Sequence, residues 1–94
     1  TGMTRGPKIE TDDGRTDEQL MLAHARGDRG AFPELFRRWA QRLFGFLFHM
    51  TNDRELAEDL VQDVFLAVHR ARAKYDAKRP FRPWIFRIAA RLAC

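Results

Sequence analysis

From about Arg54 to Ala73 the apolar residues Leu56, Ala57, Leu60, Val64, Ala67, Val68 and Ala71 recur at intervals of mostly three and four. At about 100° per residue they fall in one arc roughly 120° wide, the pattern of a helix with one buried face. The preceding stretch repeats it. From Ala31 to about Met50, Phe32, Leu35, Phe36, Trp39, Leu43, Phe46, Leu47 and Met50 follow the same spacing. Phe36, Phe44, Phe46 and Phe48, with Trp39, predict that this helix is covered on more than one side. Pro33 is acceptable in its first turn, where no intrahelical donor is lost, and Asp28 is placed to cap it.

Thr51-Asn52-Asp53 separates the two helices with a break and a cap. Ahead of them, Thr16 or Asp17 can cap a short helix carrying Leu20, Leu22 and Ala23, which Gly27 stops. After them, residues 74 to 83 (KYDAKRPFRP) hold two prolines and four basic residues and predict a loop. Pro83 then opens a last helix from Trp84 onward, with Ile85, Ile88, Ala89 and Leu92 inward. Alternating β-branched runs and repeats are absent. The expected fold is all-α, a compact bundle of about four helices packed antiparallel or obliquely.

Ninety-four residues, 45% of them apolar and 32% charged, suit one small domain with a single core. Residues 1 to 15 lack apolar periodicity and are expected to form a flexible leader, Thr1-Gly2 having the form of an addition ahead of Met3; residues 16 to 94 form the domain. The leader has no apolar segment of the signal-peptide kind, and no apolar run is long enough to span a bilayer, so a soluble, cytoplasmic protein without membrane insertion is expected. The single cysteine, Cys94, excludes an internal disulfide. The last helix ends without a C-cap signal and is expected to continue past Cys94.

The charge is unevenly spread. Residues 1 to 69 carry 9 Lys/Arg against 12 Asp/Glu, whereas residues 70 to 94 carry 8 against 1. In that basic quarter, Arg70, Arg72, Lys74, Lys78, Arg79, Arg82, Arg87 and Arg91 are interleaved with Tyr75, Phe81, Trp84 and Phe86. Cations neutralise phosphates and aromatic rings stack on unpaired bases, which is what a nucleic-acid single strand requires. The bland alternative makes Trp84 and Phe86 core residues and the cations solubilising. On the long helix, the arc opposite the core holds Glu55, Glu58, Asp59, Gln62 and Asp63, with Leu66 set among them and Phe65 at the edge. Acids near a helix N-terminus complement its dipole, but an apolar pair rimmed by carboxylates predicts a docking patch for a basic, partly apolar partner.

Catalysis is not supported. His24, His49 and His69 lie on different predicted helices, so a metal site would need tertiary coincidence, and neither a Gly-rich phosphate loop nor a nucleophile–base pairing is present. Asp59 and Asp63 alone do not complete a metal set. No enzyme, cofactor or metal is expected.

Three segments, DEQLMLAHARGDRGAFPELFRRW at 17 to 39, AEDLVQDVFLAVHRA at 57 to 71 and FRPWIFRIA at 81 to 89, in this order and spacing resemble region 2 of bacterial RNA polymerase sigma factors of the extracytoplasmic-function group. The resemblance covers residues 17 to about 93. It implies a transcription initiation domain whose long helix docks on the clamp helices of the polymerase β′ subunit through Asp59, Gln62 and Asp63, with Glu58 at the edge and Phe65 and Leu66 as apolar neighbours. It further implies that the loop of Tyr75, Ala77, Lys78, Arg79, Phe81 and Arg82, beside Trp84, captures a flipped base of the nontemplate strand at the promoter minus-ten element. Arg70, Lys74, Arg87 and Arg91 would then contact phosphates. An anti-sigma factor is an implied partner, and a C-terminal region 4, which this chain lacks, is implied for the whole protein. Where many members carry Asn, this chain has Arg91, so no base preference carries over. The competing expectations are a sigma-like helical domain bound by a regulator without DNA, and a nonspecific duplex binder.

Overall fold

The computed structural model describes residues 13–94. Four helices follow one another: α1 (Asp17–Ala25), α2 (Ala31–Thr51), α3 (Arg54–Arg70) and α4 (Phe81–Ala93), with no strand among the described residues. Helix α2 is the spine. It packs against α1, α3 and α4, and α3 packs in turn against α4. None of these helices is long and apolar enough to cross a membrane.

Each boundary has a local cause. Thr16 accepts a hydrogen bond from the Gln19 amide at 3.0 Å while Gln19 Oε1 accepts from the Thr16 amide at 2.8 Å, a reciprocal capping box at the start of α1. The helix ends at Gly27, whose φ of 99° lets the Gly27 and Asp28 amides turn back onto the carbonyls of His24 and Ala23. Between α2 and α3 only two residues intervene. Asn52 takes the left-handed conformation at φ 54°, and Asp53 caps α3 by accepting from the Leu56 amide at 3.1 Å. This tight corner makes α2 and α3 a helical hairpin.

The core is a ladder of four-residue steps. Leu35, Trp39, Leu43 and Leu47 on α2 face Ala57, Leu60, Val61, Val64, Phe65 and Val68 on α3, and Phe81, Ile85 and Ala89 of α4 close the far side. Helix α1 contributes Leu20, Met21 and Ala23. Polar ties lock α1 to α2: Asp17 Oδ1 accepts from both the Trp39 indole and the Arg38 guanidinium at 3.1 Å, and Arg38 also grips the buried Glu34 at 2.9 Å.

Several expectations require correction. Met21, not Leu22, enters the core, because Leu22 lies about 200° around the helix from Leu20. Leu56, Met50 and Leu92 are exposed although they sit on apolar arcs. All three lie in terminal turns, and periodicity fixes a residue's face but not whether a neighbouring helix extends far enough to cover it. Phe36 and Phe48 are exposed too, so α2 is not covered all round. Asp28 accepts from the Gly30 amide at 2.9 Å, one turn ahead of an α2 whose N-cap is Gly30 itself. Helix α3 stops at Arg70 rather than Ala73, and α4 begins at Phe81 rather than Trp84. Pro83 is the third residue of α4, just as Pro33 is the third of α2; both occupy the first turn, whose amides have no intrahelical acceptor.

Of the expected leader, residues 1–12 lie outside the described residues. Its last part is anchored: Arg15 pairs with Asp13 at 2.7 Å and Asp28 at 2.9 Å, and Arg38 reaches Asp13 at 3.4 Å.

Candidate functional site

The fold presents two surfaces of opposite charge. On α3, the residues pointing away from the core are Glu55, Glu58, Asp59, Gln62, Asp63 and Leu66, all exposed. Among the described residues Asp59 and Asp63 form no ion pair, and Glu58 has only a loose contact with Arg54 at 3.8 Å. Leu66 is 45% exposed amid these polar groups, as its place on the helix predicts. Phe65 differs. It is 3% exposed, packed against Phe36 with ring centroids 4.8 Å apart and against Phe32 at 6.0 Å, and so supports the patch from beneath instead of belonging to it.

Beside this face an open groove of about 880 Å³ runs between α3 and the α1–α2 corner. Phe32, Pro33, Phe36 and Leu66 give it apolar walls, and Gln62 and Asp63 lie on its lip. Here the histidines hold a surprise: His24 of α1 and His69 of α3 meet, Nε2 to Nδ1 at 2.9 Å, although the sequence separates them by 45 positions. Burial, with the His69 ring and the Arg72 guanidinium adding to it, pushes the His24 imidazole below its ordinary value. No signal in the sequence could have paired them, since the contact depends on how α1 and α3 are each set against α2. Among the described residues no group of three or more His, Cys, Asp or Glu is placed to hold a metal ion.

The second surface comprises the connection after α3 and the outer face of α4. Arg70, Lys74, Lys78, Arg79, Arg82, Arg87 and Arg91 are all exposed, and among the described residues none is in an ion pair. The aromatic residues divide from them. Tyr75 is 8% exposed and Phe81 fully buried, so neither offers an open stacking face. Trp84 is half-buried, its ring 4.7 Å from Tyr75 and 5.7 Å from Phe81, and Phe86 packs on Phe46 at 5.1 Å. Period-based placement could not separate these roles because Tyr75 and Phe81 lie outside or at the very start of a helix.

The buried aromatics organise the loop that carries the cations. The Tyr75 hydroxyl donates to the Arg79 carbonyl at 2.5 Å, and the Asp76 side chain accepts from the Lys78 amide at 2.9 Å. Burial and the nearby carboxylates of Glu18, Asp17 and Asp76 push the Tyr75 phenol up to about 12. The N-cap residue of α4 is Pro80, which provides no side-chain cap. The missing acceptor comes from α1: Glu18 Oε2 takes the Phe81 amide at 2.7 Å across 63 positions of sequence. This tertiary cap, absent from the sequence reading, fixes the basic loop to the body of the domain.

The profile of the Sigma-70 region 2 family matches residues 35–94. This chain belongs to the sigma-70 region 2 family. Its relatives include RNA polymerase sigma factor CarQ of Myxococcus xanthus, 46% identical over 67 residues, which are 71% of this chain and 38% of CarQ. The ECF RNA polymerase sigma factor SigM of Mycobacterium tuberculosis is 35% identical over 74 residues, 79% of this chain and 38% of that protein. RNA polymerase sigma-H factor of Pseudomonas aeruginosa is 30% identical over 77 residues, 82% and 40% of the respective chains. The region 2 domain thus spans about two fifths of the length of these curated relatives. No solved structure matches the chain.

Proposed function

We propose that this domain works in transcription initiation as the part of a sigma factor that binds core RNA polymerase and opens the promoter minus-ten element. The observation that carries the reading is the segregation of unpaired charge: carboxylates on α3, cations on the 71–80 connection and α4. Asp59, Gln62, Asp63 and Leu66, with Glu58 at the edge, form the face for the β′ clamp helices. Their exposure and the apolar residue at their centre suit a basic, partly apolar partner surface.

Arg70, Lys74, Lys78, Arg79, Arg82, Arg87 and Arg91 hold the phosphates of the nontemplate strand, and the half-buried Trp84 offers the accessible aromatic edge beside them. Extruding a base costs a few kcal/mol of stacking and pairing, which phosphate contacts and enclosure must offset. Tyr75 and Phe81 act from below, by fixing the loop. An anti-sigma factor would compete for these same surfaces.

Two variants test the two faces separately. Gln62→Ala with Asp63→Arg should abolish binding to core polymerase while leaving the circular dichroism spectrum and melting unchanged; unchanged affinity would remove the α3 face from the interface. Lys78→Ala with Arg79→Ala should weaken binding to a minus-ten nontemplate oligonucleotide and flatten its log–log salt slope by roughly one to two units. Equal affinity for scrambled strands or for duplex would instead favour a domain that does not read promoter DNA.

A further inference from the structure

The contact between His24 and His69 continues to Arg72. The Arg72 guanidinium Nη1 lies 3.3 Å from His69 Nε2 and 2.8 Å from the His69 carbonyl oxygen. A guanidinium only donates, so His69 Nε2 must accept. The His69 proton is then on Nδ1, from which it donates to His24 Nε2 at 2.9 Å, leaving the proton of His24 on its own Nδ1. The chain of donors runs one way, from Arg72 through His69 to His24, and it requires both rings to be neutral. Phe32 of α2 stacks on His24 with centroids 4.6 Å apart and meets the edge of His69 at 5.8 Å, so three helices join at this point in the wall of the groove.

We propose that the Arg72–His69–His24 chain is a proton-operated latch that holds α1 against α3 and, by releasing, weakens the binding of a basic partner at the groove. A proton added at His24 Nε2 sets N–H against N–H and breaks the link from His69 to His24. The charged groups that line the groove with the pair are Asp63 of α3, Arg72 of the turn after it, and Asp28 and Arg29 of the α1–α2 connection, whereas α2 contributes only Phe32, Pro33 and Phe36. The burial that disfavours a charged His24 acts in the same direction. A new imidazolium in the wall of the same groove also lowers the attraction of its acidic lip for a cationic surface, so charge and geometry push affinity the same way as pH falls.

The latch lies in the groove beside the α3 face proposed above for the polymerase and rests on that proposal for its partner, but its chemistry can be read without polymerase. In the isolated chain labelled with nitrogen-15, long-range imidazole spectra at pH 7.5 should show His24 and His69 both in the Nδ1–H form, which free neutral histidine disfavours. Nε2–H forms for both rings would overturn the latch. For the partner, core polymerase affinity of the wild type should fall about tenfold more between pH 7.5 and 5.5 than that of His69→Gln, whose amide oxygen can accept from a protonated His24. An identical pH response in the two proteins would overturn the regulatory role even with the expected tautomers. If neither protein binds polymerase at either pH, the functional assignment fails, and the proposed regulation with it, while the spectra still decide the hydrogen-bond chain.

Discussion

Removing the carboxylate of Glu18 tests how the basic loop is held. Glu18 Oε2 accepts from the Phe81 amide at 2.7 Å, and Phe81 is fully buried, so Glu18→Ala leaves the first amide of α4 without its acceptor. Loss of a side-chain cap costs about 0.5–2 kcal/mol, and a hydrogen bond to a charged group contributes about 1.5–3 kcal/mol. Partial access of water to the vacated place favours the overlap of these ranges, about 2 kcal/mol. For a domain of this size each kcal/mol lowers Tm by about 4–8 °C, so Glu18→Ala should melt about 8–16 °C below the wild type. Glu18→Gln keeps an acceptor and loses only the charge, which faces the positive end of α4, and should cost about half as much. Differential scanning calorimetry gives the magnitudes and amide exchange at Phe81 gives the place. A second readout is specific to the geometry. Tyr75 is the only tyrosine, and Glu18 is the foremost of the charges that push its phenol up to about 12, so Glu18→Gln should lower the phenol's pKa. A Glu18→Ala variant melting within 2 °C of the wild type, with unaltered exchange at Phe81, would refute the tertiary cap.

Three further outcomes follow from single positions. Gly45 lies in the middle of α2 and a Cβ there meets nothing within 4 Å, so Gly45→Ala should stabilise the domain by about 1 kcal/mol in denaturant titration. Below pH 10 the buried phenol of Tyr75 is neutral in both folded and unfolded chains; as pH rises from 10 through about 12 only the unfolded chain releases the proton, and folding stability should fall across that window. Tyr75→Phe should lose that part of the alkaline slope and, lacking the hydrogen bond to the Arg79 carbonyl, be about 1 kcal/mol less stable at pH 7.

The helices were legible because their signals are local. Thr16, Gly27, Asn52 and Asp53 act on amides and carbonyls within a few residues, and the four-step ladder on α2 needs only the helical period. The start of α4 was less so, because the sequence marks where Pro83 is tolerated without marking how many residues precede it in the helix. Of the candidate site, the exposed charges were legible from projection alone, since Asp59, Asp63, Arg87 and Arg91 lie opposite the core arcs of their helices. Phe65, Tyr75 and Phe81 were not, because their burial depends on the groups that cross over them: Phe36 and Phe32 for the first, Trp84 and Trp39 for the others. Glu18 and the His24–His69 pair share that origin.

The charges of the domain form two populations with different physical consequences. At the α1–α2 face opposite charges meet: Arg38 with Asp13, Asp17 and Glu34, and Arg15 with Asp13 and Asp28. The pairs around the buried Glu34 and the half-buried Arg38 have short, multiple contacts and hold α1 in place. The exposed charges of α3 and of the 71–91 segment are instead largely sorted by sign and largely unpaired among the described residues, which adds self-repulsion within each face. Loops and helix faces meant only for solubility mix the two signs. That sorting supports the proposed function: because the acidic face lies on α3 and the basic one begins at Arg70, the last residue of that helix, a partner held by the first would be placed beside a strand held by the second.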